Sequence, residues 1–184
     1  MQSRIRNTLQ VIGKKYATDK SAHRFKGLTY LQVYDFYFRD LMFEKVSLLE
    51  LGVKRGASLR MWRDYFGNKS NIIGIDKNPA CKKLNKENNI HVYTGLQDDK
   101  KFLTKVVGVE KCFNIIVDDA SHINEASLKS FNFLWKYLKS GGFYVIEDVK
   151  QITKLSLKFS NYLDQRVDMK FLHFFPQLCI MGKV

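Results

Sequence analysis

The sequence predicts an α/β domain: a mostly parallel seven-stranded sheet with one antiparallel strand and helices on both faces. Three observations point there. From residue 46 to residue 146, short apolar runs alternate with segments of helical spacing, the order that builds parallel sheets. The runs are apolar at consecutive positions, as strands buried on both faces are. The tail instead carries two apolar runs around Pro176 and Gln177, the pattern of an antiparallel pair.

The elements follow in order. Residues 46–51 (VSLLEL) form a strand ending at Gly52. Residues 57–66 (ASLRMWRDYF) form a helix, with Leu59, Trp62 and Phe66 on one face. Residues 71–76 (NIIGID) form a strand ending in Asp76, residues 79–88 a polar helix, and residues 90–93 a weaker strand. A helix over 98–107 leads to a strand over 113–117 that runs into Asp118 and Asp119. Residues 124–138 carry apolar side chains at Leu128, Phe131, Leu134, Trp135 and Leu138, a helix that Gly141 and Gly142 are expected to stop. The strand 143–146 (FYVI) ends at Glu147 and Asp148, and strands over 167–175 and 178–181 close the chain. The first 44 residues are aromatic-rich and helical. The expectation is one domain over 1–184, with a helical segment (1–44) ahead of the sheet-forming core (45–184). The chain ends soon after the last hairpin, so any element covering the substrate or building an oligomer is expected to be minimal.

Composition sets limits. Residues 1–20 lack an apolar stretch and do not read as a signal peptide. No apolar run approaches the roughly 18 residues of a membrane span. The cysteines, Cys81, Cys112 and Cys179, fit neither a zinc pattern nor a disulfide framework, so free thiols in the cytoplasm are expected. The net charge of +13 comes from lysines scattered along the chain. No basic cluster is interleaved with aromatics, which argues against a nucleic-acid surface. The charge suits an anionic small molecule. A homo-oligomer stays open.

Residues 49–59 (LELGVKRGASL) carry a strand through Glu50 into Gly52 and Gly56, then a helix. Glycines let such a loop turn sharply and approach a ligand, and the helix start offers free N–H groups. Asp76 ends the next strand, where an acid can bind ribose hydroxyls. A dinucleotide enzyme would use the same geometry, but the third glycine of its fingerprint is missing.

Asp118, Asp119 and His122 follow one strand, and Glu147 and Asp148 the next. Neighbouring strands would bring both groups to the carboxyl edge of the sheet. Carboxylates so close repel unless a cation or proton intervenes. A hard divalent ion fits: Asp119, Glu147 and Asp148 would bind it, and it would hold two vicinal hydroxyl oxygens of a substrate. Both Mg²⁺ and Mn²⁺ suit oxygen ligands. His122 could take the hydroxyl proton. The plainer alternative is that Asp119 or Ser121 caps the following helix.

Together these residues resemble the metal-dependent macrolide sugar O-methyltransferases of the mycinamicin type and the related cephalosporin-biosynthesis protein. The matching segments are 16–21 (YATDKS) with His23, 49–62 (LELGVKRGASLRMW), 73–76 (IGID), 95–98 (GLQD), 115–122 (IIVDDASH) and 141–148 (GGFYVIED). The resemblance implies a Rossmann-like methyltransferase fold and S-adenosylmethionine as cofactor. It implies Asp119, Glu147 and Asp148 as Mg²⁺ ligands and His122 as base. It implies cofactor contacts at Thr18, Gly52, Ser58, Asp76, Gln97 and Asp118, and a segment 16–23 folded over the cofactor site. Lys20 remains open as a surface lysine and His23 as a packed histidine. Two departures stand out: the family usually has glycine where this chain has Ala17 and Ala120.

The expected function is O-methylation of a sugar or sugar-nucleotide hydroxyl in bacterial polysaccharide or natural-product synthesis. An RNA methyltransferase, or a degenerate cofactor-binding scaffold, is the alternative. A pure scaffold has no need of mutually repelling carboxylates.

Overall fold

The computed structural model describes residues 7–22, 24–25, 27–87, 89–149, 153–154 and 168–184. Helix α1 (Leu9–Lys15) and a 3-10 turn (Asp19–Ser21) precede a two-residue hairpin, β1 (Arg24–Phe25) and β2 (Leu28–Thr29). Helix α2 (Tyr30–Phe38) starts at a capping box in which Thr29 and Gln32 exchange hydrogen bonds. The core then runs β3 (Ser47–Leu51), α3 (Ala57–Phe66), β4 (Asn71–Asp76), β5 (Ile90–Thr94), α4 (Lys100–Glu110), β6 (Phe113–Asp118), α5 (Asn124–Leu134), β7 (Leu138–Ile146), β8 (Met169–Phe175) and β9 (Leu178–Lys183).

The seven-stranded sheet has the order β5-β4-β3-β6-β7-β9-β8. Strands β3 to β7 pair in parallel, and β9 runs antiparallel to both neighbours, β7 and β8. This is the expected architecture, with β9 as the one reversed strand.

The pleat sorts side chains onto the two faces. Leu48, Ile72, Ile115 and Val145 pack under α1, α2 and α3. Leu49, Ile73, Ile116 and Tyr144 pack under α4 and α5. Both faces are covered, which is why the strands read as continuous apolar runs. The aromatics of the N-terminal segment belong to the first core: Tyr30, Tyr34 and Phe38 are fully buried, and Tyr34 and Phe38 both lie against Trp62.

Two sequence expectations need correction. The helix after residue 124 ends at Leu134 and continues as a 3-10 turn only to Tyr137. Gly141 and Gly142 do not stop it; they lie inside β7, opposite a register shift between Phe113 and Ile115. A Cβ on Gly142 would lie 2.8 Å from the carbonyl oxygens of Asn114 and Lys139, so glycine there permits close backbone approach rather than a helix end. The segment after Pro79 is a 3-10 helix, Pro79–Lys86, not an α-helix. Residues 88 and 167, and His23, lie outside the described residues.

Candidate active site at the carboxyl edge of the sheet

Strand β3 is central, with β4 on one side and β6 on the other, so the chain reverses direction across the sheet at its carboxyl end. Open α/β sheets bind ligands in the crevice at such a point. Gly52 leaves β3 there with φ +93°. A Cβ at this position would lie 2.1 Å from the carbonyl oxygen of Asp119, so two strand ends meet where only glycine fits.

Asp76 ties the glycine loop down. Its Oδ2 accepts the N–H groups of Val53 and Lys54, both within 2.9 Å, and its Oδ1 accepts that of Asn78 at 2.8 Å. Partial burial raises the carboxyl, but the three backbone donors outweigh it and hold it below its ordinary value. Oδ1 keeps a lone pair for a further donor.

Two cavities flank this loop. One, of about 270 Å³, is lined by Gly52, Asp76, Gly95, Leu96, Gln97 and Ser121, among others. Leu96 and Ile123 form exposed apolar lips, 55% and 56% accessible. The other, of about 680 Å³, is lined by Thr18, Ser58, Asp119, His122, Glu147 and Asp148, among others, with Lys54, Arg55 and Lys77 at its rim.

Of the residues singled out from sequence, Thr18, Gly52, Ser58, Asp76 and Gln97 line one or both cavities. Glu50, Gly56 and Asp118 line neither. Gly56 is the N-cap of α3, with φ +78°. Glu50 is fully buried and accepts the Trp62 indole N–H at 3.2 Å. Asp118 is buried behind Gln97, whose Nε2 donates to both its oxygens. Burial pushes Asp118 up to about 7. Gln97 also accepts the Ser121 N–H, so its side chain braces the cleft wall.

The acids at the ends of β6 and β7 do meet. Asp119, His122 and Asp148 each present a ligand atom within 4.8 Å of the others. His122 Nδ1 is 4.0 Å from Asp119 and Nε2 is 3.9 Å from Asp148, too far for hydrogen bonds. Nδ1 is buried without a hydrogen-bond partner. Both His122 and Asp148 take positive φ, +55° and +52°, backbone strain that clusters at functional sites. Of the two capping candidates it is Ser121, not Asp119, that meets the start of α5: the N-cap is Ile123, and Ser121 Oγ accepts its N–H at 3.3 Å.

The N-terminal segment corrects the reading of Lys20 as a surface lysine and adds groups that the sequence did not single out. Lys20 is 1% exposed and its Nζ contacts Asp119 at 2.5 Å, Glu147 at 2.9 Å and Glu50 at 3.2 Å. Burial alone would lower the ammonium; the three carboxylates outweigh it and hold it well above its usual value. Tyr34 donates to Glu147 Oε1 at 2.6 Å and Tyr30 to Asp148 Oδ1 at 3.0 Å. These two tyrosines, four residues apart on α2, form a rack under the second acid pair. The plain aromatic richness of the segment was the only sequence signal for them.

Residues 49–149 match a family described as a methyltransferase domain. The chain is 37% identical over 147 residues to an 8-demethyl-8-(2-methoxy-alpha-L-rhamnosyl)-tetracenomycin-C 3'-O-methyltransferase of Streptomyces olivaceus, covering 75% of this chain and 36% of that protein. It is 37% identical over 123 residues to the mycinamicin VI 2''-O-methyltransferase of Micromonospora griseorubida, covering 63% of this chain and 30% of that protein. Among solved structures it is similar to the MycE methyltransferase of the mycinamycin pathway in complex with Mg, SAH and mycinamycin VI. The TM-score is 0.83 at 28% identity, over 97% of this chain and 55% of that one. The chain thus spans about a third of the curated relatives and about half of the solved one. The fold is the Rossmann-like methyltransferase fold, and the chain belongs to the methyltransferase-domain family.

Proposed function

We propose that the protein is an S-adenosylmethionine-dependent O-methyltransferase acting on a hydroxyl of a sugar or glycoconjugate precursor, in natural-product or bacterial polysaccharide synthesis. The observation that carries this reading is the meeting of Asp119, His122 and Asp148 beside the Gly52 loop and Asp76. The relatives named above, sugar O-methyltransferases by name, support it.

The residues fit the two groups this chemistry needs. The smaller cavity suits an adenosyl moiety: apolar lips at Leu96 and Ile123, a glycine floor, and a spare acceptor on Asp76 for a ribose hydroxyl. Asp119, Glu147 and Asp148 line the larger cavity, Asp119 having a ligand oxygen within 4.8 Å of Glu147 on one side and of Asp148 on the other, the kind of oxygen donors a hard divalent ion prefers. Mg²⁺ or Mn²⁺ would be held there by these three, Glu147 keeping a lone pair on each oxygen beside its Lys20 and Tyr34 bonds. Bound, the ion makes a substrate hydroxyl more acidic, and S-adenosylmethionine supplies the methyl group.

The chain's own residues do the rest. Gly52 and Asp76 would hold the donor beside the acid cluster, and positioning of this kind supplies much of the rate. His122, which lines the larger cavity, takes the proton from the hydroxyl. Lys20, Tyr30 and Tyr34 hold the acids in place. Lys54, Arg55 and Lys77 at the cavity rim favour an anionic acceptor such as a sugar nucleotide.

The three cysteines are free, which supports a reducing, cytoplasmic setting. Among the described residues no helix is long and apolar enough to cross a membrane.

Calorimetry with S-adenosylmethionine tests the reading, with and without Mg²⁺ and a vicinal-diol sugar nucleotide, on the wild type and Asp76→Ala. Cofactor binding that Asp76→Ala weakens at least tenfold is expected. Absence of binding in every condition would overturn it.

A further inference from the structure

We infer that Lys20 is a tethered cation that takes the place of a second metal ion on the inner side of the acid cluster. The identity of the outer ion rests on the function proposed above; the role of Lys20 does not.

Glu50, Asp119 and Glu147 each present an oxygen within 4.8 Å of the others, a second group able to hold a metal. The Lys20 ammonium contacts all three. Glu50 is 0% and Glu147 2% exposed, so water does little to relieve their repulsion. Glu50 Oε1 has no hydrogen-bond partner, and its compensation is the charge of Lys20 at 3.2 Å. A buried charge without such a partner is strongly destabilising.

Asp119 belongs to both halves of the cluster. Its Oδ2 turns inward to Lys20, and its Oδ1 faces His122 on the cavity side. Lys20 therefore splits the cluster into an inner set, Glu50 with the Lys20-facing oxygens of Asp119 and Glu147, and an outer set on the cavity, Asp119, Glu147, Asp148 and His122. One exchangeable divalent ion fits the outer set, and the ammonium fills the inner one. Lys20 is thus a positioning residue that acts through Asp119 and Glu147. It also pins the 3-10 turn Asp19–Ser21 across the larger cavity, where Thr18 and Asp19 form part of the wall.

The test counts ions. Bound Mn²⁺ per chain is measured by electron paramagnetic resonance on the full chain. The variants are the wild type, Lys20→Met, Lys20→Arg and Lys20→Met/Glu50→Gln, and each is also melted in EDTA and in Mn²⁺. Lys20→Met is expected to bind one Mn²⁺ more than the wild type and to gain more melting temperature from Mn²⁺. Lys20→Arg should count like the wild type, because it keeps the inner charge. Adding Glu50→Gln to Lys20→Met should remove the extra ion. A folded Lys20→Met with the wild-type count overturns the inference, and so does a Lys20→Met that stays unfolded in Mn²⁺. A wild type that binds no Mn²⁺ removes the outer ion from the proposed function, while Lys20 is still read as none against one.

Discussion

Replacing Gly52 by alanine tests whether the cofactor loop and the acid cluster are one mechanical unit. The new Cβ would lie 2.1 Å from the Asp119 carbonyl oxygen, 2.7 Å from its carbon and 2.9 Å from Ala120 Cα. All three are backbone atoms with no rotamer to change. Ordinary contact needs roughly 3.5 Å, so the ends of β3 and β6 must part by more than about 1 Å. Positive φ adds about 1–2 kcal/mol for a residue with a Cβ. Gly141→Ala is the control: its φ is +73°, but nothing lies within 4 Å of the added carbon. It should lose only the backbone term, a fall of roughly 2–8 °C for a domain of this size. Gly52→Ala should melt lower still and bind S-adenosylhomocysteine at least tenfold more weakly. Its methyl transfer should drop about 100-fold, the cost of a displacement of order 1 Å at a reacting centre. Calorimetry, thermal melts and a radiolabelled-methyl assay read the three effects. Gly52→Ala melting like Gly141→Ala, with binding within twofold of wild type, would refute the argument.

Three further outcomes are expected. His122→Ala should abolish methyl transfer while S-adenosylhomocysteine affinity by calorimetry stays within about threefold, because His122 lines only the larger cavity. Asp76 has a depressed carboxyl in the folded chain, so its contribution to stability is present above the ordinary aspartate value of about 3.9 and is lost as pH falls through the folded value. The gap in melting temperature between wild type and Asp76→Asn should accordingly shrink below about pH 4; a gap that widens there contradicts the sign. Ala17 has φ +51°, whereas Ala120 is not among the positive-φ residues. Ala17→Gly should therefore stabilise by about 1 kcal/mol and Ala120→Gly destabilise by about 0.5–1 kcal/mol, opposite shifts in paired melts.

How much of this was legible in the sequence depended on the range of the interactions involved. Helix 57–66 and strand 71–76 were read to the residue from local pattern, the apolar face Leu59, Trp62 and Phe66 in one and the apolar run into Asp76 in the other. Asp119, His122 and Asp148 were legible as a group because parallel strands bring their ends to one edge whatever the side chains do between. Gly141 and Gly142 misled because a glycine pair after a helical pattern has two uses, and only the opposing strand decides between them. Glu50 and Asp118 look like cofactor acids in sequence. Their burial follows from contacts with Trp62 and Gln97, which spacing does not reveal. The bonds of Lys20 to Asp119, Tyr34 to Glu147 and Tyr30 to Asp148 span 99, 113 and 118 residues. No periodicity encodes such pairs, and Lys20 reads as one lysine among many. Yet those three bonds explain why the segment ahead of the sheet is so aromatic and why one of its lysines is buried. Acids crowded together like this need donors delivered from outside their own strands. The N-terminal 40 residues deliver them.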